Sequence, residues 1–144
     1  MARVVPTESQ PKTVSVFPAG KSDTETFGFT IDVGPDSEIS PGFKGYLPIS
    51  YTGTISGWWI TTDNEDGEIT IDILRPTGPV EGDSPIGSAS VCAAAYPNVA
   101  FTSSGKGETS LWTNRTVTAD DLIGFEVLSC SGISRATLVL LVTT

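Results

Sequence analysis

The amino-acid sequence predicts an all-β fold, a jelly-roll-like antiparallel sandwich of two sheets, from three observations. Aromatic and β-branched residues are frequent, short segments alternate apolar with polar residues, and glycine or proline interrupts the chain about every eight to twelve residues. A chain of 144 residues suits one domain and can bury a real core. We expect about eight or nine strands and no helix. An immunoglobulin-like sandwich ranks second, because the cysteine and tryptophan spacing of that fold is absent.

Residues 1 to 20 predict an extended N-terminal arm, and residues 21 to 144 predict a single sandwich domain. Pro6, Pro11 and Pro18 resist a regular ladder, which leaves room for at most one strand around "TVSVF". The arm is expected either to extend over a neighbouring subunit or to be a frayed terminus. The chain has neither a signal-peptide pattern nor an apolar stretch that approaches a membrane span. We therefore expect a soluble product, used in the cytosol or released by lysis.

Four strands are predicted in the first half of the domain. The first alternates large apolar residues with glycine, threonine and aspartate, and the fourth alternates isoleucine with polar residues, as half-buried strands do. A Thr52-Gly53 turn separates the second from the third, and the acidic turn "DNEDG" leads from the third into the fourth, a pair that we expect to form a hairpin. The four segments are "TFGFTIDV" (26–33), "FKGYLPISY" (43–51), "GTISGWWITT" (53–62) and "EITIDIL" (68–74).

The middle of the chain gives a weaker pattern. Residues 75 to 87 predict a loop, because three prolines and three glycines deny the segment a ladder. Residues 88 to 113 predict irregular structure with one or two strands, and the segment "ASVCAAAYP" (89–97) could be either a short helix or a buried strand. The segment "TVTADDLIGFEV" (116–127) then predicts a turn that carries Asp120 and Asp121, followed by a strand.

The closing segment "ISRATLVLLVTT" (133–144) predicts a strand that is apolar on both sides. Val139 and Leu141 face one way, whereas the apolar residues that alternate with them face the other. A second sheet can cover only one of these sides. Another element or another chain must therefore cover the other side.

Trp58 and Trp59 are neighbours in one predicted strand, so they cannot both face one core. If Gly57 forms a β-bulge, the alternation shifts by one residue, and Ile55 and Trp58 then share the core side. Trp59 points outward in that arrangement. We interpret an outward tryptophan beside the two-sided last strand as a contact with another protein chain. The alternative is that the arm or a loop of the same chain covers it.

Composition argues against several functional classes. The formal net charge of −9 disfavours a nucleic-acid surface, which needs a cationic patch. The chain contains no histidine, which removes histidine-based triads and histidine metal ligands. Asp120 and Asp121 fit a turn better than a pair of glycosidase carboxylates, which must flank a cleft. "DNEDGE" fails as an EF-hand loop, because Thr62 and Ile73 would occupy its first and last ligand positions. We expect no enzyme, no cofactor and no metal site.

Cys92 and Cys130 are the two cysteines of the chain. In a reducing compartment they are expected to be buried thiols. A disulfide between them after release stays open, because the sequence does not give the Cα separation that a bridge requires.

Two long segments carry a resemblance to a known group of proteins. "GFKGYLPISYTGTISGWWITTDNEDGEITIDIL" and "TSLWTNRTVTADDLIGFEVLSCSGISRATLVLLVT" resemble small bacteriophage virion proteins and tail-fibre terminal domains. The shared pattern is a G-x-K-G-Y strand, a G-T-I-x-G-W strand, an acidic turn, an isoleucine-rich strand and a T-V-T-A-x-D strand pair. The likeness spans residues 42 to 142. Trp59, both cysteines and the arm depart from the pattern.

The resemblance implies a β-sandwich with a structural role in a virus particle. The leading hypothesis is a capsid decoration protein, located in a virion assembled in the host cytoplasm. Its partners would be the major capsid protein, other virion subunits or further copies of the chain, a trimer being the expected oligomer, without nucleic acid or membrane. The alternative is a tail-fibre or receptor-binding tip that recognises host-surface carbohydrate. The interface candidates are Trp59, Tyr46, Tyr51, Trp112, Val139 and Leu141.

Overall fold

The computed structural model of the protein describes residues 24–77 and 87–144, and within these ranges it contains ten β-strands and no helix. The predicted arm, residues 1 to 20, lies outside the described residues, as does most of the predicted loop 75 to 87. The strands are β1 (Thr24–Asp32), β2 (Gly42–Pro48), β3 (Gly53–Thr62), β4 (Glu68–Pro76), β5 (Ser88–Ser90), β6 (Asn98–Ala100), β7 (Ser104–Glu108), β8 (Thr116–Val117), β9 (Leu122–Ser131) and β10 (Arg135–Thr143).

The strands form two antiparallel five-stranded sheets that pack against each other. One sheet has the order β1-β10-β3-β7, with β8 also paired to β3, and the other has the order β2-β9-β4-β5, with β6 also paired to β4. The first four strands alternate between the sheets, and so do β9 and β10. This alternation is the jelly-roll arrangement of a two-sheet sandwich. The predicted all-β sandwich is therefore confirmed.

The predicted pairing of consecutive strands is wrong. β3 and β4 do not form a hairpin, because β3 pairs with β10 in one sheet and β4 pairs with β9 in the other. The Thr52-Gly53 turn likewise joins strands of different sheets. Both turns reverse the chain as predicted, and Asn64 holds the second one by accepting a hydrogen bond from the Asp66 amide at 3.0 Å. Turn residues specify a reversal, whereas the sheet that the next strand joins depends on its long-range partners.

The region from residue 88 to residue 113 contains three strands, one more than the upper expectation. β5 and β6 both pair with β4, and β7 pairs with β3. Between β5 and β6 the chain turns at Ala93 and Ala94, whose φ angles of 51° and 66° are uncommon for residues other than glycine. Alanine gives no sequence signal for such a turn, which explains why this region was hard to predict.

The core lies between the inner faces of the two sheets. Phe125 of β9 contacts Phe29 of β1 across the sandwich, with ring centroids 3.9 Å apart. Isoleucine supplies much of the rest, as the alternation in β3, β4 and β9 predicts. The fully buried isoleucines include Ile39, Ile49, Ile55, Ile60, Ile69, Ile71, Ile73, Ile123 and Ile133.

A bulge is present in β3 as predicted, but its additional residue is Ser56 and not Gly57. The pairing of β3 with β10 shifts between Leu141 and Val142, which face Gly57 and Ile55, so Ser56 is the additional residue. As a result, Ile55 shares the core side with Trp58 and Ile60, and Trp59 points outward. Ser56 donates a hydrogen bond from Oγ to the Leu141 carbonyl at 3.3 Å, which holds the bulge against β10.

Trp58 packs into the core against two glycines of β7. Trp58 pairs with Gly107, and a Cβ atom placed at Gly107 would lie 2.8 Å from Cε2 of the indole. Gly105, two residues earlier on the same side, would place a Cβ atom 4.0 Å from the indole. The indole therefore occupies the space of a side chain at Gly107, whereas Val99 Cγ2, 3.0 Å from the same position at Gly105, restricts that one.

We predict that Gly107→Ala destabilises the fold by about 1–3 kcal/mol, because the added methyl group overlaps the buried indole. Ser104→Ala, on the outer side of the same strand, is the matched control and should change stability by less than about 0.5 kcal/mol. Urea denaturation of the two variants and the parent protein measures the difference. Equal stability of the two variants would contradict this packing.

Candidate interaction surface

The outer side of the β1-β10-β3-β7 sheet carries an exposed tryptophan. Trp59 is 48% exposed, whereas its neighbour Trp58 is 9% exposed. Paired residues in adjacent antiparallel strands point to the same side, so the partners of Trp59 share its surface. These partners are Val139 on β10 and Lys106 on β7. The Lys106 ammonium lies 5.9 Å from the Trp59 ring centroid, within the range of a cation–π contact.

Two parallel rows of residues make up the centre of this surface, which we call the Trp59 face. Row one crosses the four strands as Gly28, Val139, Trp59 and Lys106, and row two crosses them as Thr26, Leu141, Gly57 and Glu108. Each row thus has apolar residues in the middle and a charged residue on β7. The charges on β7 have opposite signs in the two rows.

The two glycines of these rows flatten the Trp59 face. A Cβ atom placed at Gly28 would lie 3.2 Å from Val139 Cγ2, and one placed at Gly57 would lie 3.2 Å from Leu141 Cδ1. The valine and leucine side chains therefore lie over the glycine positions. The result is a low apolar strip on the outside of the sheet.

Polar side chains border this strip on one side. Thr30 of β1 and Thr137 of β10 pair with each other, and their hydroxyl oxygens are 2.9 Å apart. Thr61 of β3 pairs with Thr137 and with Ser104 of β7. The apolar part of the Trp59 face is therefore limited in area.

The two-sided last strand is present as predicted. Leu138, Leu140 and Val142 are buried in the core, whereas Val139 and Leu141 are only partly buried on the Trp59 face. Among the six interface candidates, the structure therefore brings Trp59, Val139 and Leu141 together. Whether they contact another chain remains a prediction.

The other three candidates lie elsewhere. Trp112 does not lie on the surface, which corrects its prediction as an interface residue. It is 5% exposed in the core, and its Nε1 donates a hydrogen bond to the Ala95 carbonyl at 2.9 Å. Tyr51 packs partly against the core cluster. Tyr46 lies on the outer side of the other sheet, beside the Phe43 ring and over Gly124. None of the three belongs to the rows of the Trp59 face.

Lys106 and Glu108 are residues of this surface that the sequence did not single out. They alternate with glycines in the segment "SGKGE", a pattern that gives only a weak strand signal because glycine is depleted in strands. The signal that marks them is the alternation itself, which places two opposite charges on one side of a short strand.

Both cysteines are free thiols. Cys130 pairs with Ile69 of β4, whereas Val91, next to Cys92, donates its amide hydrogen bond to Ile73 of the same strand. Ile69 and Ile73 are four residues apart in β4, which corresponds to about 13 Å along the strand, whereas a disulfide needs its two Cα atoms within about 7 Å. The disulfide that the sequence left open is therefore not formed, and the two sites do not converge.

The acidic residues that the sequence raised as candidates serve the turns. Asp121 Oδ2 accepts hydrogen bonds from Arg75 Nη2 and from the Thr118 amide, both at 2.8 Å, and the first of these is an ion pair. Asp120 adopts a φ angle of 79° in the same turn. These contacts agree with the predicted role of the pair in a turn before β9.

Asp63 and its surroundings form a cleft of about 330 Å³ at one end of the sandwich. The Asp63 carboxylate accepts hydrogen bonds from the backbone amides of Ser134 and Arg135, both at 3.2 Å, so it ties β3 to the start of β10. Residues 24–77 and 87–144 contain no group of three or more histidine, cysteine or acidic side chains that could hold a metal ion. Over the same residues, no helix has the length and apolar character needed to cross a membrane.

Comparison with known proteins gives little further information. No family model matches the sequence, and no curated protein matches it. Among solved structures, the chain is similar to one described as "Structure of infectious bursal disease virus Gx strain", with a TM-score of 0.29 and 15% identity. The match covers 92% of this chain and 41% of the viral chain. Similarity at this level carries no argument about function.

We predict that the free energy of unfolding falls at alkaline pH because the buried Cys92 thiol resists ionisation in the folded state. Burial raises the pKa of this thiol, with a smaller contribution from the nearby Asp72 charge. The pKa is raised in the folded state only. The contribution of the protonated thiol to the free energy of unfolding is therefore complete below the unfolded pKa of about 8.5, and it is lost as pH rises above that value. At pH about 9.5 the loss amounts to about 1.4 kcal/mol.

Urea denaturation between pH 7 and pH 9.5 of the parent and of Cys92→Ala tests this linkage. The variant should lose stability less steeply, although its absolute stability is also lowered by the cavity. The slopes are compared because burial also raises the pKa of Cys130, and that contribution remains in both proteins. Identical slopes would show that the Cys92 thiol ionises as freely in the folded state as in the unfolded one.

Proposed function

We propose that this chain is a structural protein of a bacteriophage particle and that it decorates the outside of the capsid. The observation that carries this proposal is the Trp59 face, an apolar strip on the solvent side of a sheet whose other side already forms the core. In this proposal the strip is buried against another subunit of the particle, either a capsid protein or a further copy of this chain. The resemblance of residues 42 to 142 to phage virion proteins supports the same assignment.

Burial of the strip supplies a useful but modest energy. A tryptophan side chain offers about 150–250 Å² of surface, and roughly half of that of Trp59 remains to be buried. At about 25 cal/mol per Å² the contribution is about 2–3 kcal/mol before the cost of association. One such contact is weak, but symmetry repeats it over a shell, and many copies together resist disruption.

Charge and fold agree with a position on the exterior. The net charge of −9 disfavours contact with packaged DNA, whose phosphates repel an acidic protein. Jelly rolls occur in viral capsid proteins, but they also occur in lectins and cupins, so the fold supports the proposal only by analogy. The assignment therefore depends on the Trp59 face.

The second candidate is a receptor-binding tip that recognises carbohydrate. The observation in its favour is the exposed Trp59 ring, which has a cationic side chain on one side and threonine hydroxyls on another. Aromatic rings of this kind stack on the apolar faces of sugars. Glycan-array binding by the free protein, together with density on the tail instead of the shell, would favour this candidate over the first.

The proposal predicts that the purified protein binds to phage particles assembled without it and that Trp59→Ser weakens this binding about tenfold or more. Leu111→Ser is the matched control, because Leu111 is 73% exposed and lies outside the strands. It should bind like the parent. Cryo-electron microscopy of the reconstituted particles should show ordered density over the capsid lattice, and particles without the protein should rupture at lower temperature. Absence of shell density would contradict the proposal.

A further inference from the structure

We infer that the Trp59 face pairs with the same face of a second copy of this chain, about a two-fold axis perpendicular to the strands. The proposed function enters only in treating this face as a contact surface. The pairing itself is argued from the pattern of the two rows. A two-fold interface must be self-complementary, because each surface meets its own copy.

The axis that satisfies this condition lies in the interface, midway between row one and row two. The rows are two residues apart on every strand, or about 7 Å. Rotation about this axis places row one of each copy over row two of the other. Lys106 then faces Glu108 of the second copy, and by symmetry Glu108 faces the second copy's Lys106. Two ion pairs form across the interface from one pair of residues.

The same rotation matches the apolar residues. Trp59 of one copy lies over Gly57 of the other, where the Leu141 side chain already covers the glycine. Val139 of each copy lies over Leu141 of the other. Trp59 therefore packs against the Leu141 side chain that lies over Gly57, and the contact is apolar on both sides. On the β1 side, Gly28 faces the small side chain of Thr26.

The twist of the sheets preserves these contacts. Packed sheets cross at about 30°, and this rotation displaces a residue in proportion to its distance from the centre of the face. Lys106 and Glu108 lie on the edge strand β7, about 7 Å across the strands and about 3.3 Å along them from that centre, so the displacement is about 4 Å. The long lysine and glutamate side chains can follow a shift of that size.

Charge also argues for this arrangement over a random stacking of faces. Two chains of net charge −9 repel each other, so association needs a local attraction. A two-fold axis along row one would place Lys106 over the second copy's Lys106, and an axis along row two would place Glu108 over the second copy's Glu108. The axis midway between the rows avoids both repulsive contacts and pairs unlike charges instead, and electrostatic complementarity of this kind fixes the register of an interface.

The size of the face indicates a weak dimer. Three strands of nine or ten residues and the five-residue β7 cover about 520 Å² on each copy, at about 3.3 Å per residue and 4.8 Å per strand. The total of about 1,000 Å² lies near the lower limit of specific interfaces. We therefore expect a dimer that dissociates on dilution, in place of the trimer that the sequence suggested.

Sedimentation equilibrium of the full chain, from about 1 to 200 μM, tests the inference. The parent should dimerise reversibly. Lys106→Glu places carboxylates opposite each other twice, and Glu108→Lys does the same with ammonium groups, so each single variant should dimerise at least about tenfold more weakly. The double variant K106E/E108K restores opposite charges and should recover dimerisation to within about threefold of the parent.

Controls separate this effect from folding and from net charge. K106E loses the contact with the Trp59 ring, and E108K loses a hydrogen bond from Ser110, but the double variant keeps both losses. Recovery in the double variant therefore cannot come from folding. Lys44→Glu and Glu65→Lys, which lie away from the Trp59 face, change the net charge equally and should dimerise like the parent within about threefold.

Three results would overturn the two-fold pairing: a parent that is monomeric at the highest concentration, a double variant as weak as the singles, or controls as weak as K106E. A monomer that still binds phage particles would overturn the pairing and leave the proposed function intact. A dimer that obeys the charge pattern but does not bind particles would support the pairing and overturn the proposed function.

Discussion

The bulge at Ser56 is the constraint from which the surface of this protein follows. Strict alternation would place Ile55 on the opposite side from Trp58 and Ile60, so β3 could not bury all three. One additional residue brings Ile55 to the core side. The strand then commits every large apolar residue to the core except Trp59, which cannot join them because it directly follows Trp58.

The neighbours of β3 convert that local feature into an extended surface. β10 lies between β1 and β3, so its partly buried Val139 and Leu141 stand beside the outward tryptophan. β7 on the other side has glycines toward the core, where the Trp58 ring needs space, and charges toward solvent. Strands β3, β7 and β10 thus determine both how Trp58 packs in the core and which residues surround Trp59 on the outer side of the sheet.

Sequence alternation was sufficient to predict the sandwich, the outward Trp59 and the two-sided last strand, because each depends on residues close together in the chain. The pairing of β3 with β10 was not accessible in this way, since nothing near residue 60 specifies a partner near residue 138. The same limit explains the wrong hairpins. Trp112 was wrongly placed at the surface because an isolated tryptophan in an irregular segment has no periodicity from which to derive its side.

Opposite charges beside the apolar strip limit how the Trp59 face can associate. An exposed sheet face that is apolar throughout associates in many registers, which leads to aggregation. Lys106 and Glu108 favour those registers in which unlike charges meet, and the net charge of −9 opposes association in every register. In the proposed pairing the price is affinity, because two exposed ion pairs and a small apolar area hold two copies together only weakly. In the proposed capsid role, a weak and reversible contact suits a component of a large symmetric assembly, which supplies many such contacts at once.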